Sequence, residues 1–328
     1  MALTLRRGHV SAVLERHEGL VRVEVDGVAC VAYPGLTGPV ALDDEVLVNV
    51  QARELGLGSG GFDVLYANLT RGLDLAPPDA AHVMKLPYTP LQFAVEHAEE
   101  DAPLADVLEG MPGVCCSLHS QLAPVCAALA GLRVAYLQLP GGALPVTLSD
   151  TVRLLREREL LQAAVGVGAC FGGDVDCVNP YSALAWARAA RFDAVVCAIG
   201  PGIVGTGTRL GHGGMAAAQA ASAVAQLGGR PIVALRLSRA DPRPRHRGLS
   251  HHAEAILSLV GCSVTVPWPE GCPVDDGLAD RADAVDVSGW REACDGLPLS
   301  HMGRGPDDDP WFFAAAFAAG VAARRVLR

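Results

Sequence analysis

Residues 192–227 read FDAVVCAIGPGIVGTGTRLGHGGMAAAQAASAVAQL, which is an apolar run, a glycine-rich loop and an alanine-rich run in succession. The apolar run 192–199 predicts a buried strand, and residues 215–227 predict a helix that ends at Gly228 and Gly229. Glycine adds no side-chain bulk, adopts positive φ and lets backbone N–H groups reach an anion beside a helix N-terminus. The loop 198–214 therefore predicts close approach of backbone to a ligand.

The same order of strand, polar turn and helix recurs on both sides of this segment. The other apolar runs that predict strands are 113–118, 133–139, 163–171, 231–237 and 262–266, and the runs that predict helices are 123–130, 148–161, 180–190 and 252–260. Repeated β-α units form a parallel sheet that is covered on both faces. We therefore predict an α/β fold with a mostly parallel, Rossmann-like sheet and helices on both faces.

The first 70 residues have a different pattern. Residues 21–25 and 28–33 alternate around Asp26-Gly27, a strong signal for a two-residue hairpin, and further short strands are predicted at 45–50 and 62–69. These strands predict a small N-terminal β-barrel. Pro77-Pro78 mark a boundary, so the predicted domains are residues 1–76 and 77–328.

Composition limits the classes of function. The 328-residue chain is 50% hydrophobic and carries a formal net charge of −10. Nucleic acids and anionic membranes attract basic surfaces, so we expect neither as a partner. The N-terminus lacks an apolar segment long enough for a signal peptide, which predicts a cytoplasmic protein. The apolar run 311–323 is too short to span a bilayer and predicts a docked helix that follows an Asp309-Pro310 cap.

Polar residues follow successive predicted strands, and the turns after parallel strands emerge at the same edge of a sheet. The residues that we expect to share a crevice there are His119, Asp174, Asp176, the glycine-rich loop and the segment from Arg239 to His252. Ordinary solvated turns would have a similar composition. The sequence alone leaves both interpretations open.

The glycine-rich loop allows three interpretations. Gly200, Gly202 and Gly205 match the G-x-G-x-x-G pattern of dinucleotide-binding loops, but the helix begins too late for that pattern, and no Walker lysine is present. An anion-binding loop is the second interpretation, and a tight turn needed for close packing is the third. For the anion-binding loop, the candidate ligand-binding residues are Gly205, Thr206, Gly207, Thr208, Arg209 and His212.

A cationic segment stands out in this acidic protein. Arg243, Arg245 and Arg247 surround His246, and planar guanidinium groups bind phosphate or carboxylate in a bidentate manner. The segment thus predicts a small anionic metabolite as the ligand. A solvated loop whose arginines pair with surface carboxylates is the alternative.

Histidines concentrate in the same turns, at His119, His212, His246, His251 and His252. Imidazole serves as a metal ligand, as an acid or base, or as a structural group. Because the histidines lack a regular ligand spacing and no cysteine pair accompanies them, we expect no tightly bound metal. For an enzyme, the candidate catalytic residues are His246, His251, His252 and Asp174.

Three segments carry a resemblance to a known family: FGGDVDCVNPYSALAWA from Phe171, GPGIVGTGTRLGHGGMAAAQA from Gly200 and RPRHRGLSHH up to His252. Together with YANLTRGL from Tyr66, they resemble an uncharacterised bacterial family known only as a domain of unknown function. That resemblance covers nearly the whole chain and implies no activity.

A fainter similarity links residues 205–215 to the GTCTRCG-type loop of glycine, betaine and proline reductase subunits. Here Val204, Gly207 and Leu210 stand where those proteins have cysteine or selenocysteine. The resemblance therefore implies that their thiol chemistry is absent from this chain.

Two hypotheses of function follow. In the first, the α/β domain binds a small anionic metabolite between the glycine-rich loop and the arginine–histidine segment, and it is open whether catalysis follows. In the second, the chain is a ligand sensor or an assembly module whose barrel contacts a protein partner. The sequence identifies no cofactor, and homo-oligomer formation is compatible with both hypotheses.

Overall fold

The computed structural model describes residues 3–56, 61–71, 75–76, 79–101, 103–274 and 276–327. The chain divides into two units, residues 1–95 and residues 96–328. The boundary expected at Pro77-Pro78 lies outside the described residues, so a division at residue 77 stays a prediction.

The first unit contains the barrel that the sequence predicts. Its strands are β1 (Leu5–His17), β2 (Leu20–Val25), β3 (Val28–Ala32), β4 (Glu45–Asn49) and β5 (Asp63–Asn68). They form a closed barrel in the order β1-β2-β3-β5-β4. This unit also contains the short helices α1 (Pro34–Thr37) and α2 (Gln51–Glu54). Asp26 and Gly27 have φ of 49° and 78°, the two left-handed residues that this hairpin turn requires. A separate antiparallel pair consists of β6 (Val83–Lys85) and β7 (Phe93–Val95).

The second unit is built on a six-stranded parallel sheet with the order β11-β10-β9-β12-β8-β13. Its strands are β8 (Pro112–Cys116), β9 (Val134–Leu139), β10 (Ala163–Val167), β11 (Val175–Cys177), β12 (Ala194–Ile199) and β13 (Arg230–Ala234). The mixed α/β class and the parallel sheet are confirmed, and β11 is an addition that the sequence did not predict. The Rossmann-like description of this sheet stays a prediction.

The prediction that residues 262–266 form a strand of this sheet is wrong. Among residues 262–266, all of which the structure describes, only Thr265 bridges the sheet, at Ile232. The strand begins at Val266 and belongs to a small separate sheet of β16 (Val266–Pro269) and β17 (Ala282–Val285), and another small pair precedes it, β14 (Leu237–Ser238) with β15 (Gly248–Leu249).

Helices cover both faces of the large sheet. They are α3 (Ala98–Asp101), α4 (Leu122–Ala128), α5 (Asp150–Glu157), α6 (Pro180–Ala189), α7 (Ala216–Gln226), α8 (His251–Leu259), α9 (Trp290–Ala293) and α10 (Pro310–Val326). Alternate strand residues enter two different cores: Tyr136 packs with α4, α5 and α10, whereas Leu137 packs with α6, α7 and α8. The sheet is therefore buried on both faces, as its continuous apolar strands predict.

The C-terminal helix α10 docks on the sheet, as expected. Pro310 is its first residue and Asp309 occupies the N-cap position, but the Asp309 side chain makes no cap hydrogen bond. Its carboxylate instead accepts hydrogen bonds from the Ser238 hydroxyl and the Arg239 N–H. Among the described residues, no helix is both long enough and apolar enough to cross a membrane.

Candidate functional site

Four imidazoles lie together after the carboxyl ends of β12 and β13. We call His212, His246, His251 and His252 the histidine cluster. The rings of His212 and His252 stack with centroids 3.7 Å apart, and the His246 centroid lies 4.8 Å from that of His251 and 4.9 Å from that of His252. The fold thus joins the glycine-rich loop, which carries His212, to the segment after β13.

Ser250 organises the segment after β13. It is the N-cap of α8, and its hydroxyl accepts the N–H of His252 at 3.2 Å, which places His251 and His252 in the first turn of that helix. The same hydroxyl lies 2.7 Å from Nδ1 of His246. One small polar side chain thereby fixes the positions of three histidines.

A buried ionic network lies beside the cluster. Three guanidinium groups converge on the carboxylate of Asp241, which is fully buried: Arg243 at 2.9 Å, Arg304 at 3.1 Å and Arg236 at 3.4 Å. We call these four residues the Asp241 network. Arg236 is also buried, and its Nη1 lies 3.2 Å from Nδ1 of His252. The network and the histidine cluster therefore form one polar site.

The electrostatics of this site favour neutral histidines. Burial and the charges of Arg236 and Arg243 lower the pKa of His246 to about 3. Burial lowers the pKa of His251, His252 and His212 as well, and the rings weaken one another's basicity in addition. At neutral pH the cluster therefore offers uncharged imidazoles.

In the Asp241 network, by contrast, the charged forms of the side chains are favoured. Burial opposes ionisation of Asp241, but hydrogen bonds and charge from Arg243, together with the charge of Arg304, outweigh it and hold the pKa of Asp241 well below its usual value. Burial and the charge of Arg243 lower the pKa of Arg236 to about 10, against the attraction of Asp241. Both partners remain ionised at neutral pH.

Several buried nitrogen atoms of the site have no hydrogen-bond partner among the described residues. They are Nε of Arg236, Nδ1 of His212 and Nε2 of His251. A buried polar group without a partner costs about 1–3 kcal/mol. A bound ligand is one means of removing that cost.

The glycine-rich loop forms a small hairpin, because Gly205 and His212 pair as an antiparallel bridge. The N–H of Thr206 donates to Gly211 O at 2.8 Å, and the Thr206 and Thr208 hydroxyls contact each other at 2.9 Å. Arg209 reaches α8, where it donates to Ser258. Several donors that were expected to bind an anion therefore make hydrogen bonds within the protein instead.

Close packing explains the glycines at the base of the loop. A Cβ on Gly213 would lie 1.9 Å from Gly141 O, and a Cβ on Gly200 would lie 2.1 Å from Ala143 O. Backbone from the turn after β9 thus runs directly against backbone from the turn after β12. The tight-turn interpretation accounts for these positions, whereas Gly205 and Gly207 lie further out and are exposed.

Arg245 lies against the tip of this hairpin. A Cβ on Gly207 would lie 3.5 Å from Nη2 of Arg245, and Gly207 has a φ of 80°. Arg245 and Arg247 are exposed. Arg243 is different, because its guanidinium donates two hydrogen bonds to Asp241, and its role in ligand binding stays a prediction.

Asp174 and Asp176 do not join this site, and the prediction that Asp174 shares a crevice with His246 is wrong. The chain doubles back after β10, so Asp174 exchanges hydrogen bonds with Ala164 near the start of that strand and pairs with Arg156 at 2.6 Å. Asp176 lies within β11 beside Gly166. Strands β11 and β13 are five spacings apart, about 24 Å, so the strand order explains the separation.

His119 belongs to another group of residues. Its Nε2 lies 2.7 Å from the Ser149 hydroxyl and its Nδ1 lies 3.3 Å from the Tyr136 hydroxyl. Tyr136 packs in the core on the face of the sheet that α4, α5 and α10 cover, whereas the helix that carries His251 and His252 packs on the other face. His119 is therefore not part of the histidine cluster.

Sequence reasoning missed much of the site. It gave no role in the site to Arg236, Asp241, Ser250, Arg304 and Asp309. Asp241 and Ser250 lie in the segment that was expected to share the crevice, and Asp309 was expected only as a helix cap. Arg236 follows the apolar run PIVAL and looks like the end of a strand. A charged residue at the end of a buried strand was the available signal.

Comparison with known proteins identifies the family of this chain. A search of the curated proteins finds nothing similar. The similarity to the reductase loop and the bacterial source stay predictions. Residues 29–320 match the model of the family described as protein of unknown function, DUF3866, so this chain belongs to that family.

Proposed function

We propose that this protein binds a small anionic metabolite, a phosphate or a carboxylate, where Gly207 at the tip of the hairpin meets Arg245. The closeness of these two residues is the observation that carries the proposal, since a Cβ on Gly207 would lie 3.5 Å from Nη2 of Arg245. It joins the two segments that the sequence singled out, and an exposed guanidinium beside a glycine gives an anion access to both side-chain and backbone donors.

The charge balance of the neighbouring network supports an anion. Three guanidinium groups, of Arg236, Arg243 and Arg304, face two carboxylates, of Asp241 and Asp309, which leaves one net positive charge. Arg245 and Arg247 add exposed positive charge in a protein whose formal net charge is −10. A local positive potential of this kind concentrates small anions.

The histidine cluster favours hydrogen bonding over proton transfer. A general base works best when its pKa lies near the working pH, and the pKa of His246 is lowered to about 3 by burial and by Arg236. The acid–base role considered for His246, His251 and His252 therefore lacks support from their surroundings. The proposal is limited to binding, and it is independent of whether a reaction follows.

A protein-interaction or assembly module is the second candidate function, with the hairpin rather than the barrel as the contact surface. Its support is the exposure of Val204 and Leu210, which place apolar side chains on the same hairpin. Exposed apolar groups that cluster are typical of protein contacts. In that case the hairpin would contact a protein partner, and small anions would not affect the stability of the chain.

Thermal unfolding of the full chain tests the proposal. We expect phosphate or sulfate to raise the unfolding temperature above that in chloride at equal ionic strength, because a ligand that binds only the folded state stabilises it. Arg245→Ala should remove the rise, whereas Arg281→Ala, at an exposed arginine in another segment, should keep it. The same rise in both variants, or none in the unaltered chain, would contradict the proposal.

A further inference from the structure

We propose that His246, His251 and His252 bind one divalent transition-metal ion of the zinc type. Each offers one ring nitrogen, and these nitrogens all lie within 4.8 Å of one another. Sequence spacing argued against a metal, but the turn before α8 brings the three residues together, so the reason for that expectation no longer holds. The inference is separate from the anion site at Arg245.

The spacing of the nitrogens is close to what such an ion needs. Zinc–nitrogen bonds of about 2.1 Å in a tetrahedral arrangement place ligand atoms about 3.4 Å apart. Nitrogens within 4.8 Å of one another reach that spacing through small rotations of the side chains. The three histidines leave a fourth position for water or for another small ligand, as in catalytic zinc sites.

Neighbouring groups hold the rings in place for such a role. The Ser250 hydroxyl contacts Nδ1 of His246 at 2.7 Å, and this contact leaves Nε2 as the ligand atom of that ring. Nε2 of His251 is buried and has no hydrogen-bond partner among the described residues. Imidazole is a preferred ligand for zinc, copper and nickel, whereas magnesium prefers oxygen.

His212 forms one wall of the proposed site. Its ring stacks on that of His252 with centroids 3.7 Å apart, and its Nε2 donates to Arg209 O at 3.1 Å. The hairpin thereby limits the movement of His252. A restrained ligand loses less conformational entropy when the metal binds.

Arg236 determines how His252 takes part. Its Nη1 donates to Nδ1 of His252, so the ring hydrogen resides on Nε2. The lone pair of the neutral ring then lies on Nδ1, so an ion that binds His252 takes that nitrogen and replaces the hydrogen bond from Arg236.

The test uses the full chain, freed of metal with a chelator that is then removed, in a buffer that contains chloride and no phosphate. We expect one equivalent of cobalt(II) to produce the visible absorption of a nitrogen-bound ion, and zinc to displace it. Zinc should also raise the unfolding temperature, whereas magnesium should not.

Three variants locate the site. His246→Gln and His251→Gln should abolish the cobalt absorption, and His119→Gln, at a histidine outside the cluster, should retain it. If the first two variants fail to fold, the comparison of zinc with magnesium on the unaltered chain decides. No zinc effect on the unaltered chain, or full cobalt binding in folded His246→Gln and His251→Gln, would overturn the inference. Because phosphate is absent, either result stands apart from the anion test at Arg245.

Discussion

The guanidinium of Arg243 donates two hydrogen bonds to the carboxylate of Asp241, and both nitrogen–oxygen distances are 2.9 Å. Arg236 and Arg304 approach the same carboxylate from other directions. A single buried anion therefore holds together residues from the turn after β13 and from the segment before α10. The same arrangement holds Arg236 in a position from which it contacts His252 of the histidine cluster.

Asp241→Asn should destabilise the protein strongly. The variant keeps the shape of the side chain but leaves Arg236, Arg243 and Arg304 without their central anion, and breaking a buried ion pair in this way costs about 3–5 kcal/mol. Denaturant unfolding measures the change. Asp307→Asn is the control, since that exposed pair with Arg291 should contribute nothing measurable. Equal effects of the two variants would show that the network is not a source of stability.

His119 should make stability depend on acid pH. Burial lowers its pKa from 6.5 to about 4, so the folded protein holds the neutral ring while the unfolded chain takes up a proton. Its contribution is complete above pH 6.5 and is lost as pH falls from 6.5 toward about 4. The free energy of unfolding, measured across this range for the unaltered chain and for His119→Gln, should decline less steeply in the variant. Parallel curves would contradict this assignment.

Gly213→Ala should destabilise the base of the hairpin. The new Cβ would lie 1.9 Å from the carbonyl oxygen of Gly141, a backbone atom that a rotamer change cannot move away. Overpacking of this kind costs about 1–3 kcal/mol or more. Gly261→Ala is the matched control, because a Cβ there meets nothing within 4 Å. The midpoints of denaturant unfolding of the two variants are compared. If Gly213→Ala is as stable as Gly261→Ala, the turns after β9 and β12 can move apart, which would contradict the prediction.

Much of the architecture was predictable because it depends on local patterns. The hairpin at Asp26-Gly27 and the strand 194–199 followed by a helix are encoded within a few residues. The order of the strands is not local, and it separates Asp174 from His246. The short strand 175–177 was missed because three residues between Asp174 and Asn179, one of them an aspartate, carry no periodic signal.

The candidate site was predictable in part for the same reason. His246, His251 and His252 stand close in sequence, which was enough to suggest proximity. The contacts of Ser250 with His246 and His252 were not predicted. The contact of His212 with His252 and the convergence on Asp241 depend on residues far apart in the chain. Only the packed sheet and its turns bring such residues together.

The carboxylate of Asp309 has a consequence for the order of events during synthesis. Asp309 is the residue just before α10, and it secures Ser238, Arg239 and Arg304. A growing chain that has emerged only to residue 300 carries Arg236 and Arg243 with Asp241, but neither Arg304 nor Asp309. The ionic centre is therefore completed only once the chain has been synthesised through Asp309, long after Arg236, Asp241 and Arg243.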